Sequence, residues 1–233
     1  TSGDDTINGG SASSVSATGY DGNDTLIGTS GRDYYGGNAG NDIIKTLAGD
    51  DVLIGGTGND TLEGGDGSDI INGDAGNDTI DGGGGNDTIN AGDGDNVVIY
   101  NGEGNDTVTF GAGNDTLKVS NITGWSEYRD GDDLIIYAAN GTNFIKVVGA
   151  YSTANRLENI EYIDSSVVRL VSVNSLVPSS GIHFFAGTSG DDTINGGSAS
   201  SVSATGYDGN DTLIGTSGRD YYGGNAGNDI IKT

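Results

Sequence analysis

The chain has 233 residues, of which 45 are glycine, none is cysteine or methionine, and only 33% are apolar. Globular domains usually hold about 45–50% apolar residues, so this composition argues against a conventional hydrophobic core. The formal charge of −25, from 34 acidic and 9 basic residues, excludes nucleic acid and anionic membranes as natural partners and favours divalent cations. No run of about 18 apolar residues forms a transmembrane segment, and without cysteine there are no disulfides and no thiolate metal sites.

A nine-residue period dominates the first half of the chain. Residues 1–18 are irregular and hold Asp5 and Ile7; the first regular unit is Gly19–Ile27, and further units begin at 28, 37, 46, 55, 64, 73, 82 and 91. One extra residue, Tyr100, precedes two more units that begin at 101 and 110. Position 4 of each unit is glycine, position 8 is apolar or aromatic, and position 6 is aspartate except at Asn96.

This period predicts the local structure. Six residues rich in glycine, asparagine and aspartate form a turn, because glycine adopts positive φ without a steric penalty. The next three are too few for a helix and suit a short strand. Turn and strand then alternate, so two units make one coil with a strand on each side. The sequence therefore predicts an all-β fold, a parallel β-roll with the position-8 side chains as a thin core between two sheets.

Stacked coils also align the position-6 carboxylates on two edges. One edge holds Asp24, Asp42, Asp60 and Asp78, and the other holds Asp33, Asp51, Asp69, Asp87 and Asp106. At the strand spacing of about 4.8 Å, neighbouring charges repel by roughly 3–4 kcal/mol at an effective dielectric constant near 20. Ca²⁺ accepts both carboxylate and backbone carbonyl oxygens. The pattern therefore predicts a fold that depends on several Ca²⁺ ions.

The unit resembles the repeats-in-toxin (RTX) nonapeptide, Gly-Gly-x-Gly-x-Asp-x-apolar-x, which Gly82–Asn90 matches at every position. The resemblance implies a β-roll with Ca²⁺ held between turns i and i+2 on one edge, and type I secretion from Gram-negative bacteria. It also implies that the position-6 aspartates are the side-chain ligands, whereas Asn96 departs from the pattern. The metal-ligand candidates are Asp5, Asp24, Asp33, Asp42, Asp51, Asp60, Asp69, Asp78, Asp87, Asp106, Asp115, Asp192, Asp211, Asp220 and Asp229.

The β-roll is expected to cover residues 1–119, and residues 120–173 contain no nonapeptides. Residues 134–137 and 144–148 predict a β-hairpin, so we expect 120–173 to be a β-rich capping segment with Trp125 in its core. Asp130–Asp133 is expected to be a solvated hairpin turn rather than a calcium loop, because the later ligands of an EF-hand are missing. His183, the only histidine, is expected to be structural.

Residues 174–186 are expected to link this cap to a second β-roll at 187–233. Residues 188–233 repeat residues 1–46 without a change. The chain is therefore a tandem duplication, and we expect it to be a piece of a longer array. One further detail lies on the outer face of a sheet, where position 7 is apolar in consecutive coils at Tyr34, Val52 and Ile70. One hypothesis is that these three residues form an apolar stripe that packs on the cap, a neighbouring module or a neighbouring chain. The alternative is that they are three scattered exposed residues.

The tandem repeat favours a structural function, because repeated modules supply length and stiffness rather than chemistry. We expect a non-enzymatic, secreted, extracellular calcium-binding module of a bacterial surface fibre, adhesin or surface layer. Its partners would be calcium ions and neighbouring modules of the same protein, including a homopolymeric fibre. The alternatives are a calcium-binding accessory or secretion region of a secreted protease, lipase or epimerase, a module that binds a glycan or a surface, and an ice-binding roll.

Overall fold

The chain is all-β in the computed structural model, which describes residues 2–120, 126–130, 133–138, 142–150, 157, 159–164, 167–172, 182–186, 193–195 and 201–233. Within these residues there is no helix, and hence none long and apolar enough to cross a membrane. The strands instead stack as a solenoid, which confirms the predicted fold class.

The first roll consists of thirteen short strands separated by glycine-rich turns. They are β1 (Thr6–Asn8), β2 (Ser16–Asp21), β3 (Thr25–Ile27), β4 (Tyr34–Ala39), β5 (Ile43–Lys45), β6 (Val52–Thr57), β7 (Thr61–Asp66), β8 (Ile70–Ala75), β9 (Thr79–Gly84), β10 (Thr88–Asn90), β11 (Val97–Tyr100), β12 (Asn105–Thr109) and β13 (Thr116–Ser120). Odd-numbered strands form one parallel sheet and even-numbered strands form the other.

The register of both sheets follows the nonapeptide period. Thr25 pairs with Ile43, 18 residues further on, so two units make one coil. After Tyr100 the offset becomes 19, as in the pair Val97 and Thr116. The extra residue is accommodated because the Tyr100 side chain enters the core, where it is 1% exposed.

Position 8 supplies the core between the sheets, as predicted. Each of these side chains is at most 2% exposed: Leu26, Tyr35, Ile44, Leu53, Leu62, Ile71, Ile80, Ile89, Val98, Val108 and Leu117. Burying one such aliphatic side chain stabilises the fold by about 1.5–3 kcal/mol. Tyr35 is compatible with this core because its hydroxyl donates to the carbonyl oxygen of Ile27 at 3.0 Å.

Position 4 is glycine because the turns stack closely. Gly40 has a φ of +132°, which side chains rarely adopt, and a Cβ at this position would collide with the carbonyl group of Gly22 in the preceding coil. The Gly40 amide in turn donates to the carbonyl oxygen of Thr57 in the next coil at 2.9 Å. The requirement is therefore both conformational and steric.

Five further strands end the roll: β14 (Ser126–Asp130), β15 (Asp133–Tyr137), β16 (Phe144–Val148), β17 (Asn159–Asp164) and β18 (Val167–Ser172). Strand β16 pairs in parallel with β12, and β17 pairs in parallel with β13, so both sheets of the roll continue into the capping segment. Strands β15 and β16 pair antiparallel, which confirms the predicted hairpin. Strands β14 and β18 then lie at the ends of the two sheets.

Asp130 and Asp133 pair across the turn between β14 and β15, as expected of a hairpin. Asp133 accepts hydrogen bonds from Nζ of Lys146 at 2.8 Å and from the backbone N–H of Gly149 at 2.8 Å. These two contacts lower the pKa of the Asp133 carboxyl, although burial opposes the shift. Its oxygens are thus engaged by the protein. Trp125 lies outside the described residues.

The second roll begins with β19 (Ile182–Ala186), β20 (Thr193–Asn195), β21 (Ser201–Asp208), β22 (Thr212–Ile214), β23 (Tyr221–Ala226) and β24 (Ile230–Lys232). They form two three-stranded parallel sheets with the same alternation as the first roll. His183 lies within β19. The division into four segments, at 1–119, 120–173, 174–186 and 187–233, stays a prediction.

The apolar stripe predicted at Tyr34, Val52 and Ile70 runs across adjacent strands, because Tyr34 pairs with Val52 and Val52 pairs with Ile70. The Tyr34 side chain is 46% exposed and that of Ile70 is 52% exposed. The three residues therefore share one outer face, whereas the packing partner of the stripe remains a hypothesis.

Candidate metal centre

Two ladders of buried carboxylates follow the edges of the first roll. On one edge the backbone N–H of Asp24 donates to Oδ1 of Asp42 at 2.7 Å, and that of Asp42 donates to Oδ1 of Asp60 at 2.7 Å. The other edge repeats this geometry, for example from Asp51 to Asp69 at 2.8 Å. Each aspartate thus binds the preceding coil through its Oδ1 and the next coil through its backbone N–H. The two edges have the membership that the sequence predicts.

The second oxygen of these carboxylates is buried without a hydrogen-bond partner in seven units of the first roll. The atoms concerned are Oδ2 of Asp24, Asp42, Asp51, Asp60, Asp69, Asp78 and Asp87. Each of these residues is at most 2% exposed. A buried charged oxygen without a partner is costly, so these atoms require a cation or a proton.

A carbonyl oxygen from the next coil faces the same space as Oδ2 in four of these units, those of Asp42, Asp60, Asp69 and Asp78. A Cβ added to Gly37, at position 1, would lie 2.7 Å from the carbonyl oxygen of Gly55 and closer still to Oδ2 of Asp42. The same holds at Gly55, where the two atoms are Oδ2 of Asp60 and, at 2.8 Å, the carbonyl oxygen of Gly73. We call this arrangement the cradle: a position-6 carboxylate oxygen and a position-1 carbonyl oxygen that converge over a position-1 glycine.

The charge state of the carboxylates reflects their burial. Desolvation raises the pKa of Asp60 and of Asp69 to about 7, and neighbouring aspartates contribute to the increase. The pKa of Asp78 is raised to about 6 and that of Asp106 to about 7, again mainly by burial. Without a cation, Asp60, Asp69 and Asp106 are therefore partly protonated near neutral pH, whereas a divalent cation would stabilise their charged form.

The donor set suits a hard cation that accepts mixed oxygens. Among the described residues no three acidic or histidine side chains converge on one point. A cation in this roll would therefore be bound by carboxylate and backbone carbonyl oxygens together, which is a donor set that Ca²⁺ accepts. The residues present fit Ca²⁺ in this respect, while the ligand role of each aspartate stays a prediction.

Three position-6 residues differ from the carboxylates whose second oxygen has no donor: Asp33, Asp220 and Asn96. Oδ2 of Asp33 accepts the backbone N–H of Thr29 at 2.6 Å, and Oδ2 of Asp220 accepts that of Thr216 at 2.7 Å. Asn96 keeps its place in the ladder, since its Oδ1 accepts the N–H of Asp78 at 2.9 Å.

The remaining candidates lie towards the ends of the rolls. Asp5 donates its backbone N–H to Oδ1 of Asp24 at 2.7 Å. Asp106 accepts from Asp87 at 3.0 Å and Asp115 from Asn96 at 2.9 Å. In the second roll Asp211 donates to Oδ1 of Asp229 at 3.0 Å. Asp192 lies outside the described residues.

A second ladder at position 5 is a feature that the sequence analysis missed. The backbone N–H of Asn41 donates to Oδ1 of Asn23 at 2.7 Å, and that of Asn59 donates to Oδ1 of Asn41 at 2.7 Å. These bonds run from each coil back to the preceding one, opposite to the position-6 ladder. The signal was present, because position 5 is asparagine or aspartate in all units but those with Arg32 and Ser68.

Comparison with known proteins agrees with this geometry. A model of the RTX calcium-binding nonapeptide repeat, with four copies, matches more than half of the chain, at residues 1–14, 18–34, 36–71, 63–98, 82–117, 184–200 and 203–231. No curated protein has a significant sequence match to the chain. Among solved structures, the extracellular lipase LipA from Serratia marcescens matches over 91% of this chain at 17% identity. The match spans 29% of the lipase chain, and its TM-score is 0.22.

Proposed function

The chain belongs to the family of RTX calcium-binding nonapeptide repeats, and from this premise we propose that it is a calcium-rigidified structural module of a secreted bacterial surface fibre, adhesin or surface layer. Membership of this family indicates a structural repeat that binds calcium. The ligands that we propose are the position-6 aspartates and the position-1 carbonyl groups of the cradles.

The observation that carries the calcium proposal is the burial of the partnerless Oδ2 atoms. Oδ2 of Asp60, for example, faces the same space over Gly55 as the carbonyl oxygen of Gly73, and it has no hydrogen-bond donor. A hard divalent cation supplies the missing positive charge there and links adjacent coils. The protein residues align the oxygens, because the backbone N–H of Asp42 fixes Oδ1 of Asp60 at 2.7 Å.

Calcium titration of chelator-treated protein tests this function. Far-UV circular dichroism should show a cooperative gain of β signal with Ca²⁺ and none with Mg²⁺, which demands a smaller, octahedral site. A β spectrum that chelator leaves unchanged would contradict the proposal, since the ladders would then be neutralised in another way.

The surface-fibre part of the proposal is supported by the tandem organisation. Residues 1–46 recur without a change as 188–233, and strands β19–β24 begin a second roll. In a solenoid each coil contacts mainly its neighbours, so added modules extend the molecule along one axis. RTX repeats are also typical of extracellular proteins exported by type I secretion, which supports a location outside the cell.

Labelling of intact cells with an antibody against the chain tests the location. We expect signal at the outer surface, removed by mild protease treatment. Signal confined to the culture medium would favour release from the cell, and signal only after permeabilisation would contradict an extracellular function.

A further inference from the structure

The rungs of the two ladders are not equivalent. A rung is here a position-6 residue together with the position-1 and position-2 residues of its own unit. In an open rung, position 1 is glycine and Oδ2 has no hydrogen-bond partner. The open rungs of the first roll are those of Asp24, Asp42, Asp60, Asp69, Asp78 and Asp87.

The rung of Asp33 is closed by a threonine at position 2. Thr29 is 2% exposed and donates its backbone N–H to Oδ2 of Asp33 at 2.6 Å. Its hydroxyl lies 3.1 Å from both carboxylate oxygens. Oδ1 also accepts the N–H of Val15 at 2.6 Å. Both oxygens therefore have protein donors, and the same threonine contacts recur at Asp220 in the second roll.

The rung of Asp51 is closed sterically from position 1, while Oδ2 of Asp51 itself has no hydrogen-bond partner. Thr46 replaces the glycine and is fully buried. Its hydroxyl donates to the carbonyl oxygen of Gly64 at 2.8 Å. Gly64 is the position-1 residue of the next coil, so this carbonyl is the second oxygen of the cradle. The threonine side chain thus occupies the space that the glycine units leave.

The rung of Asn96 is closed by two replacements. Ala91 puts a buried methyl group at position 1, where the open rungs have glycine. The carboxylate is replaced by an amide, and Nδ2 of Asn96 donates to the carbonyl oxygen of Gly92 at 3.0 Å. An N–H group that points at a carbonyl oxygen supplies the positive partner that a cation supplies elsewhere.

We propose that the rungs of Asp33, Asp51 and Asn96 are metal-independent, and that Ca²⁺ binds only to the open rungs. This inference rests on the proposed calcium function. It removes Asp33 and Asp51, which match the nonapeptide consensus at position 6, from the ligand set. The same rule removes Asp106 and Asp115, because their units have Asn101 and Phe110 at position 1. The rule that separates the two classes is local: an open rung needs glycine at position 1 and a residue other than threonine at position 2.

The closed rungs limit the series of open rungs along each edge of the roll. On the edge that begins with Asp33 the first two rungs are closed, and on the other edge the run from Asp24 to Asp78 stops at Asn96. The hydrogen bonds that Thr29 makes to Asp33 and that Asn96 makes to Gly92 lie within one unit, whereas the bond from Thr46 to Gly64 reaches the next coil. None of these contacts needs a bound ion. Bound Ca²⁺ is then confined to two offset runs of coils.

Counting bound Ca²⁺ per chain, by native mass spectrometry and elemental analysis of the full 233-residue protein, tests the proposal. Asp42→Asn should lose at least one ion, whereas Asp33→Asn should retain the wild-type number. Two variants open closed rungs and should each gain at least one ion: Thr46→Gly, and the double variant Ala91→Gly with Asn96→Asp.

The possible outcomes distinguish a failure of this inference from a failure of the proposed calcium-binding function. A wild-type chain that binds no Ca²⁺ would overturn the calcium function itself. A wild type that binds Ca²⁺ and loses an ion on Asp33→Asn, or opened rungs that gain none, would overturn only the division into open and closed rungs. Circular dichroism of each variant with saturating Ca²⁺ confirms that the count is taken on folded protein.

Discussion

The cradle can be tested by adding one methyl group to either of two adjacent glycines in β4. At Gly37 the new Cβ would lie 2.7 Å from the carbonyl oxygen of Gly55 and closer to Oδ2 of Asp42. At Gly36 the new Cβ would meet no atom within 4 Å. Gly37→Ala is therefore the perturbation and Gly36→Ala is its matched control, with the same chemical change one residue away.

The expected magnitude has two parts. Non-bonded atoms are best placed about 3.5–4.0 Å apart, so the methyl group at Gly37 forces a shift in a packed backbone that costs about 1–3 kcal/mol. Filling the cradle also removes one calcium ion, and losing a ligand present at 100 times its Kd costs about 2.7 kcal/mol. We expect Gly37→Ala to lose about 4–6 kcal/mol of unfolding free energy with Ca²⁺ present. Gly36→Ala should change it by less than about 1 kcal/mol, in the stabilising direction.

Urea unfolding followed by far-UV circular dichroism, with saturating Ca²⁺ and with chelator, separates the two parts. The gap between the two variants should be larger with Ca²⁺ than without it, and the ion count of Gly37→Ala should fall. If both variants matched the wild type in stability and in bound Ca²⁺, the cradle would not be the metal site and the steric reasoning would be refuted.

Three further predictions follow from other features of the roll. Burial raises the pKa of Asp60 and Asp69 from 3.8 to about 7 in the folded chain. Their protonation therefore stabilises the metal-free fold fully below about pH 4, and this stabilisation is lost as the pH rises through 7. Chelator-treated protein should show more β signal at pH 5 than at pH 8, and the opposite order would be inconsistent with buried carboxylates. Tyr35→Phe removes the hydroxyl that donates to the carbonyl oxygen of Ile27 at 3.0 Å and should lower the unfolding free energy by about 0.5–1.5 kcal/mol in a denaturant titration, with Tyr34→Phe on the exposed face as the control. Val52→Asp places a charge in the middle of the apolar stripe and should reduce self-association in light scattering with Ca²⁺ present, whereas unchanged assembly and stability would leave the stripe without a function.

The sequence by itself determined the repeating part of the molecule. In a solenoid each coil is made of 18 consecutive residues, so the period along the chain decides which residues become neighbours in space. Leu26 and Ile44 had to enter the same core, and Asp24 and Asp42 had to share an edge, because both pairs are one coil apart. The hairpin of β15 and β16 was equally local.

Only the tertiary structure decided which of those carboxylates is left without a donor. Asp33 and Asp42 occupy the same position in the repeat, yet one oxygen of Asp33 is taken by Thr29, while that of Asp42 is not hydrogen-bonded. The difference arises in the turn, where Thr29 contacts the carboxylate of its own unit, a contact that the nine-residue pattern does not reveal. The pairing of β12 with β16, where Asn105 meets Phe144, was likewise beyond the sequence. No period links residues across the capping segment, so their pairing depends on packing against the last coil rather than on spacing along the chain.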